Sequence, residues 1–217
     1  MPKLRAIRLA ATILALAATS LCTTVVSAAV VSAPAVAAAA VSVAPKSTAA
    51  DVTRSADLAT SSVSMSVSEL VFAKVRGTIT ITSASIVTPA ATNVPRQVDV
   101  TLDATSTSTG DPQRNADLRS GKFFDAEHYP TITFNSGQIV GTNPAKFQVH
   151  GNLTIRGISR PITFDTHVAG TRTDANGKQH VRYVAVGSFR RSSYGITYAR
   201  GIVGDNVTLN VVIDAVG

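Results

Sequence analysis

The chain has 217 residues, room for one or two domains, and its single cysteine, Cys22, excludes a disulfide-stapled scaffold and a cysteine-rich metal centre. Of its formal charge of +7, three units come from Lys3, Arg5 and Arg8, and the other basic residues are scattered among acids. That pattern excludes an electrostatic nucleic-acid surface, which needs clustered Lys and Arg.

Lys3, Arg5 and Arg8 precede an uncharged apolar run from Leu9 to Leu21, and Val26-Ser27-Ala28 places small residues where a signal peptidase cuts. Residues 1–28 therefore read as a secretory signal peptide. Cleavage at Ala28, later cleavage at Ala40 and retention as an anchor all stay open, since the Ala/Val-rich run continues to Ala44. Leu21 is too large for a lipoprotein signal at Cys22, so the exported chain carries no thiol. The expected location is secreted, or periplasmic and in the cell envelope. Residues 29–59 are rich in Ala, Val, Ser and Thr without periodicity and read as a linker.

From Thr60 to the end, residues 60–217, apolar and polar residues alternate. Val63, Met65 and Val67 form the first apolar set, followed by Val75–Ile81, Val98–Ala104, Ile132 with Phe134, Phe147–Ile155, Ile162–Val168, Val181–Phe189 and Val207–Ala215. Each is a β-strand with one apolar face. Turn residues separate them, with Asn176-Gly177 the strongest hairpin signal. Short connections favour antiparallel neighbours. Eight such strands close most simply into an antiparallel barrel, an all-β fold without exposed edges. Inward Gly77, Ala104, Gly151, Ala185 and Gly187 leave two readings open, a ligand cavity or close packing of strands.

One stretch breaks the rhythm. Charges cluster between Arg114 and Glu127, and Phe123-Phe124 follow a segment that reads as a short helix, Arg114–Arg119, capped by Asp111 or Asn115. This helical insertion falls between the third and fourth strands. Phe123 and Phe124 are expected to turn inward and close or line one end of the barrel.

Catalytic signatures are absent: no nucleophile elbow, no paired metalloprotease histidines and no phosphate-binding glycine loop. Asp117, Asp125 and His128 are the residues an acid/base enzyme would use, but they sit in a polar loop where solvated carboxylates are the rule. His150 and His167 are expected to face each other across a hairpin as two surface histidines, short of the three or four ligands a metal needs. Arg190, Arg191, Tyr194, Tyr198 and Arg200 form a basic-aromatic cluster that reads either as an anion-receiving rim or as a solvated one.

Several segments, in order, resemble the YceI family of exported, lipocalin-like polyisoprenoid-binding proteins. They are Lys74-Val75-Arg76-Gly77, the stretch from Arg114 to Ser120 followed by Phe123-Phe124-Asp125, and Tyr129-Pro130-Thr131-Ile132-Thr133-Phe134. Gly151 to Gly157, Arg191 to Ile196 and Val203 to Val207 complete the match, which runs from Ser62 to Ala215. Ser61-Ser62 stands where the family typically has His-Ser, and Arg114-Asn115-Ala116-Asp117-Leu118 where it has Arg-Asp-x-His-Leu. The resemblance implies a lipocalin-like barrel around a hydrophobic tunnel, with a polyisoprenoid or quinone-type lipid as bound ligand and no other cofactor. It implies binding without chemistry, hence a non-enzyme. Homodimerisation and membrane-surface contact stay open. Alternation and bulk select Phe72, Phe123, Phe124, Phe134, Leu153, Phe164, Phe189, Tyr194 and Ile213 as expected lining residues. A ligand-free barrel used for envelope or partner interaction is the competing reading.

Overall fold

A computed structural model of the chain describes residues 50–69 and 73–217. The expected signal peptide, most of the expected linker, and Phe72 lie outside the described residues.

The described strands are β1 (Asp51–Ala56), β2 (Ser62–Glu69), β3 (Ala73–Pro89), β4 (Gln97–Ser108), β5 (Thr131–Asn143), β6 (Lys146–Ile155), β7 (Ile158–Thr173), β8 (Gln179–Arg190) and β9 (Val203–Val216). Every pairing is antiparallel. β2 to β9 pair in sequence, and β9 pairs back with β2, which closes an eight-stranded barrel. A helix, α1 (Pro112–Arg119), lies between β4 and β5, the third and fourth barrel strands.

β1 corrects the reading of residues 29–59 as linker throughout. Asp51–Ser55 pair with the far end of β3, and Ser55 and Ala56 with the end of β9. β2 pairs with the other ends of the same two strands. β1 and β2 thus fill one slot of the barrel in two pieces, joined by a turn at residues 57–61. Local alternation over six residues is too short to announce such a strand; what makes it is the unpaired edge of β3, whose backbone groups need partners.

The apolar faces converge on one core. Ile81, Ile86, Phe147, Ile155, Val181 and Ala215 are all essentially inaccessible. β3 changes parity midway: Gly77, Ile79 and Ile81 face inward, then Ala84, Ile86 and Thr88. A bulge between Ile81 and Ser83, opposite Leu102 and Thr101, inserts the extra residue that shifts the pattern.

The inward glycines of β6 and β8 are filled by aromatic rings. A Cβ on Gly151 would stand 2.6 Å from the Phe134 ring, and one on Gly187 2.7 Å from the Phe164 ring. Phe134 and Phe164 meet edge to face at 5.2 Å. At these two positions close packing, rather than empty space, is the reason for glycine.

The β6–β7 hairpin corrects an expected register. Ile155 pairs with Ile158, so Arg156 and Gly157 alone form the turn. Both have positive φ, 53° and 71°, the requirement of a two-residue turn matched to strand twist. His150 consequently faces Thr163, not His167.

Candidate functional site

Two cavities lie within the barrel. The outer one, about 340 Å³, opens at the α1 end and is bordered by Met65, Phe123, Phe124, Phe189, Ile196 and Val207. The inner one, about 80 Å³, is bordered by Val63, Phe134, Leu153, Phe164, Leu209 and Ile213, with the Tyr183 ring at its far side. Same-face neighbours on one strand border different cavities: Met65 the outer and Val63 the inner, Val207 the outer and Leu209 the inner. The surfaces of both are mainly apolar, and the charged lining residues, Glu69, Asp111, Arg114, Asp117 and Arg191, all belong to the outer cavity.

The mouth is built by two loops. Asp111 caps α1, accepting the Arg114 N–H at 3.0 Å. That bond, first among its causes, holds the Asp111 carboxyl below its ordinary value. Asn115 instead accepts from the Thr109 backbone N–H and hydroxyl. After α1 the chain folds Phe124 into the core at 7% exposure and leaves Phe123 half-buried over the outer cavity. Phe123 meets Tyr198 of the second loop edge to face at 5.6 Å, and the Lys122 ammonium lies 5.0 Å from the Tyr198 ring centre. Lys122 also pairs with Asp117 at 3.3 Å.

Arg191 holds that second loop in place. It is buried, and its guanidinium donates to the carbonyls of Gly204, Ile196, Tyr198 and Val203. The basic-aromatic cluster therefore does not act as one anion receptor. Arg191 spends its donors on backbone, while Arg190 and Arg200 face solvent.

Tyr194 borders neither cavity, contrary to its expected lining role. It is 1% exposed and packs edge to face on Phe189 at 5.2 Å. Its hydroxyl has no partner, and burial pushes its phenol up to about 12. The short 3-10 turn Arg191–Tyr194 that follows β8 swings it beneath the rim. Of the other expected lining residues, Phe123, Phe124 and Phe189 border the outer cavity and Phe134, Leu153, Phe164 and Ile213 the inner one.

Of the polar groups that suggested acid/base chemistry, Asp117 stands at the outer mouth paired with Lys122, while Asp125 and His128 border neither cavity. His128 pairs with Asp125 at 2.9 Å, and the hydrogen bond its imidazole donates to that carboxylate raises its pKa, but the imidazole is well exposed. Asp125 also reaches Arg156 at 3.9 Å, tying the post-helix loop to the β6–β7 turn. His150 contacts the Thr163 hydroxyl at 2.9 Å, and His167 is exposed. No histidine borders either cavity among the described residues.

A cluster that sequence reasoning missed lies at the opposite end of the barrel. Asp57, His180 and Asp214 bring potential ligand atoms within 4.8 Å of one another. The Arg172 guanidinium reaches into the cluster, donating to Asp214 Oδ2 at 2.9 Å and lying 2.7 Å from His180 Nδ1. A cation is thus built into the site, and the cluster reads as a partly buried ion network joining β7, β8 and β9 to the 57–61 turn, where Ser61 Oγ accepts the Asp214 N–H at 3.0 Å. Its members are separated by up to 157 positions along the chain, so no sequence spacing announces it.

Comparison with known proteins agrees with this architecture. The YceI-like domain model matches residues 55–215. A UPF0312 protein of Vibrio campbellii is 29% identical over 136 residues, 63% of this chain and 72% of the relative. One from Shewanella baltica is 25% identical over 169 residues, 78% of this chain and 88% of the relative. Among solved structures, Burkholderia cenocepacia BcnA is similar with a TM-score of 0.63 at 25% identity, covering 75% of this chain and 99% of that one. A polyisoprenoid binding domain from Saccharophagus degradans shares the fold, with a TM-score of 0.54 at 14% identity over 75% of this chain and 97% of that one. The match over most of the chain and the closed barrel around an apolar interior lead to one assignment: this chain belongs to the YceI-like domain family.

Proposed function

We propose that the protein binds a long-chain isoprenoid or related lipid inside its barrel, outside the cytoplasm, and carries, stores or sequesters it without chemical change. The observation that carries this reading is the pair of apolar cavities lying one behind the other within a closed barrel. The outer cavity has the size of a small-molecule site, roughly 300–1,000 Å³. An apolar tail supplies affinity there through burial alone, about 0.8 kcal/mol per CH₂. Specificity comes from cavity length and from the few polar groups at either end. The fold shared with a domain described as polyisoprenoid-binding supports the same class of ligand. Acid/base catalysis lacks support, because the Asp125–His128 pair borders neither cavity and Asp117, at the outer mouth, is held in an ion pair with Lys122. The basic, apolar N-terminal run supports export.

Mass spectrometry of organic extracts from the purified protein, followed by titration with polyprenols and quinones of graded length, tests the proposal. A co-purifying lipid, or saturable binding that strengthens with tail length, is expected. If no lipid co-purifies and none binds, the binding reading fails.

A further inference from the structure

A guanidinium is buried inside this apolar barrel without a counter-charge. Arg54 lies on β1 opposite Ile86 of β3, and directly paired residues share a face. Ile86 borders the inner cavity, so Arg54 points to the interior, one layer behind the residues that border that cavity. It is 4% exposed. One amino group donates to the Thr88 hydroxyl, and its Nε has no acceptor. It is absent from every ion pair among the described residues. Space has been made for it: a Cβ on Gly217 would stand 2.7 Å from the Arg54 Cγ. Beside it stands Tyr183, which borders the inner cavity and donates its O–H to the Asn93 carbonyl at 2.9 Å. Burial pushes the Tyr183 phenol up to about 12, against the pull of the neighbouring Arg54.

A buried cation without a partner is among the most costly arrangements a core can hold. An apolar residue at position 54 would continue the apolar face of β1 and β3 at no such cost. Arginine presents a planar fork of donors suited to an oxyanion. The other interior arginine, Arg191 at the mouth, has its donors committed to four carbonyls. The polar recognition group of the interior therefore stands at the inner end, beyond Tyr183.

We propose that Arg54 receives the terminal oxyanion, carboxylate or phosphate, of a lipid that enters the barrel polar end first, its tail running through the inner cavity towards the outer one. This inference rests on the lipid-binding reading and adds to it the head-group class and the direction of entry.

The test uses the full chain and one 20-carbon isoprenoid tail carrying four ends: carboxylate, its methyl ester, alcohol and monophosphate. The unaltered protein is expected to bind the acid about tenfold or more tightly than the methyl ester, as a charge-assisted hydrogen bond in a dry site implies. In Arg54→Met that preference is expected to fall to about twofold or less, with the ester bound as before. Replacing an unpaired buried charge by an apolar side chain of similar length is neutral or stabilising, so this variant is expected to fold. Tighter binding of the phosphate than the acid assigns phosphate as the natural end, and the reverse assigns carboxylate. Equal affinity for acid and ester in the unaltered protein overturns the proposal, whether or not the variant folds, while leaving lipid binding intact. A preference unchanged in Arg54→Met also overturns it. If none of the four probes binds, the lipid-binding reading itself fails.

Discussion

The Phe164 ring fills the place that a side chain on Gly187 would need. The two residues face each other directly across β7 and β8, and a Cβ on Gly187 would stand 2.7 Å from Phe164 Cδ1 and 3.0 Å from the Thr163 carbonyl. Neither neighbour can yield easily, since one is backbone and the other is a ring wedged against Phe134. Gly187→Ala is therefore expected to cost about 2 kcal/mol in urea unfolding, the usual penalty of overpacking. Adding Phe164→Leu is expected to recover part of that loss, so the double mutant is more stable than the sum of the single changes. Strict additivity would show that the ring does not set the glycine requirement.

Arg191 is expected to behave as a structural clamp. Arg191→Met leaves four carbonyls without their donor and should destabilise the protein by about 3 kcal/mol. Hydrogen exchange should accelerate selectively over residues 195–204. Arg191→Lys is expected to rescue little, because a compact ammonium cannot span the carbonyls that the planar fork reaches.

The Asp214 network predicts an acid limb to the stability profile. Burial pushes the Asp214 carboxyl up, but hydrogen bonds with Arg172 and His180 outweigh it and leave the group below its ordinary value. A carboxyl depressed in the folded state adds stability that is fully present above its unfolded pKa, about 3.9. That stability is lost as pH falls through the lower folded value. Asp214→Asn is expected to reduce stability at pH 7 and to flatten the decline below about pH 4. Urea unfolding between pH 3 and pH 7 measures both, and a decline of unaltered steepness would place the acid sensitivity in other carboxylates.

Leu153 offers a test of the inner cavity. It is 3% exposed, borders that cavity and pairs with Phe134. Leu153→Trp should fill the space at an overpacking cost of about 1–3 kcal/mol, while the outer cavity stays open. Polyprenols of every length are expected to lose about tenfold in affinity. Unchanged affinity would place the bound tail outside the inner cavity. Circular dichroism verifies that the barrel has formed.

Phe123 and Phe124 test the mouth. A Phe123→Ala, Phe124→Ala double variant removes the ring that meets Tyr198 and the one that closes the core below it. Faster lipid uptake and release are expected in stopped-flow fluorescence, together with a loss of about 3 kcal/mol or more from the buried Phe124. Unaltered uptake would place entry elsewhere.

The sequence by itself determined the barrel, because alternation of period two is a local property: Val63-Ser64-Met65 and Val207-Thr208-Leu209 each declare one apolar face wherever they pair. It also determined that a helix interrupts the barrel after Ser108, since Asp111, Pro112 and the charged run that follows are local signals. Arg156-Gly157 carried a readable turn signal too, yet its two-residue length, and with it the separation of His150 from His167, became plain only in the pairing of Ile155 with Ile158. Tertiary structure alone decided the rest. Asp51–Ala56 became a strand because β3 outruns β2 and its edge must be paired. Gly151 and Gly187 turned out filled rather than empty because the rings that fill them come from neighbouring strands. His180 and Asp214, 34 positions apart, meet Arg172 across β7, β8 and β9. Arg54 emerged as an interior cation because its burial depends on β3, Tyr183 and Gly217, all distant from it in the chain. Period and turn chemistry act between neighbours in the chain, whereas register, bulges and the pairing of buried charge depend on contacts that form only once the sheet has closed on itself.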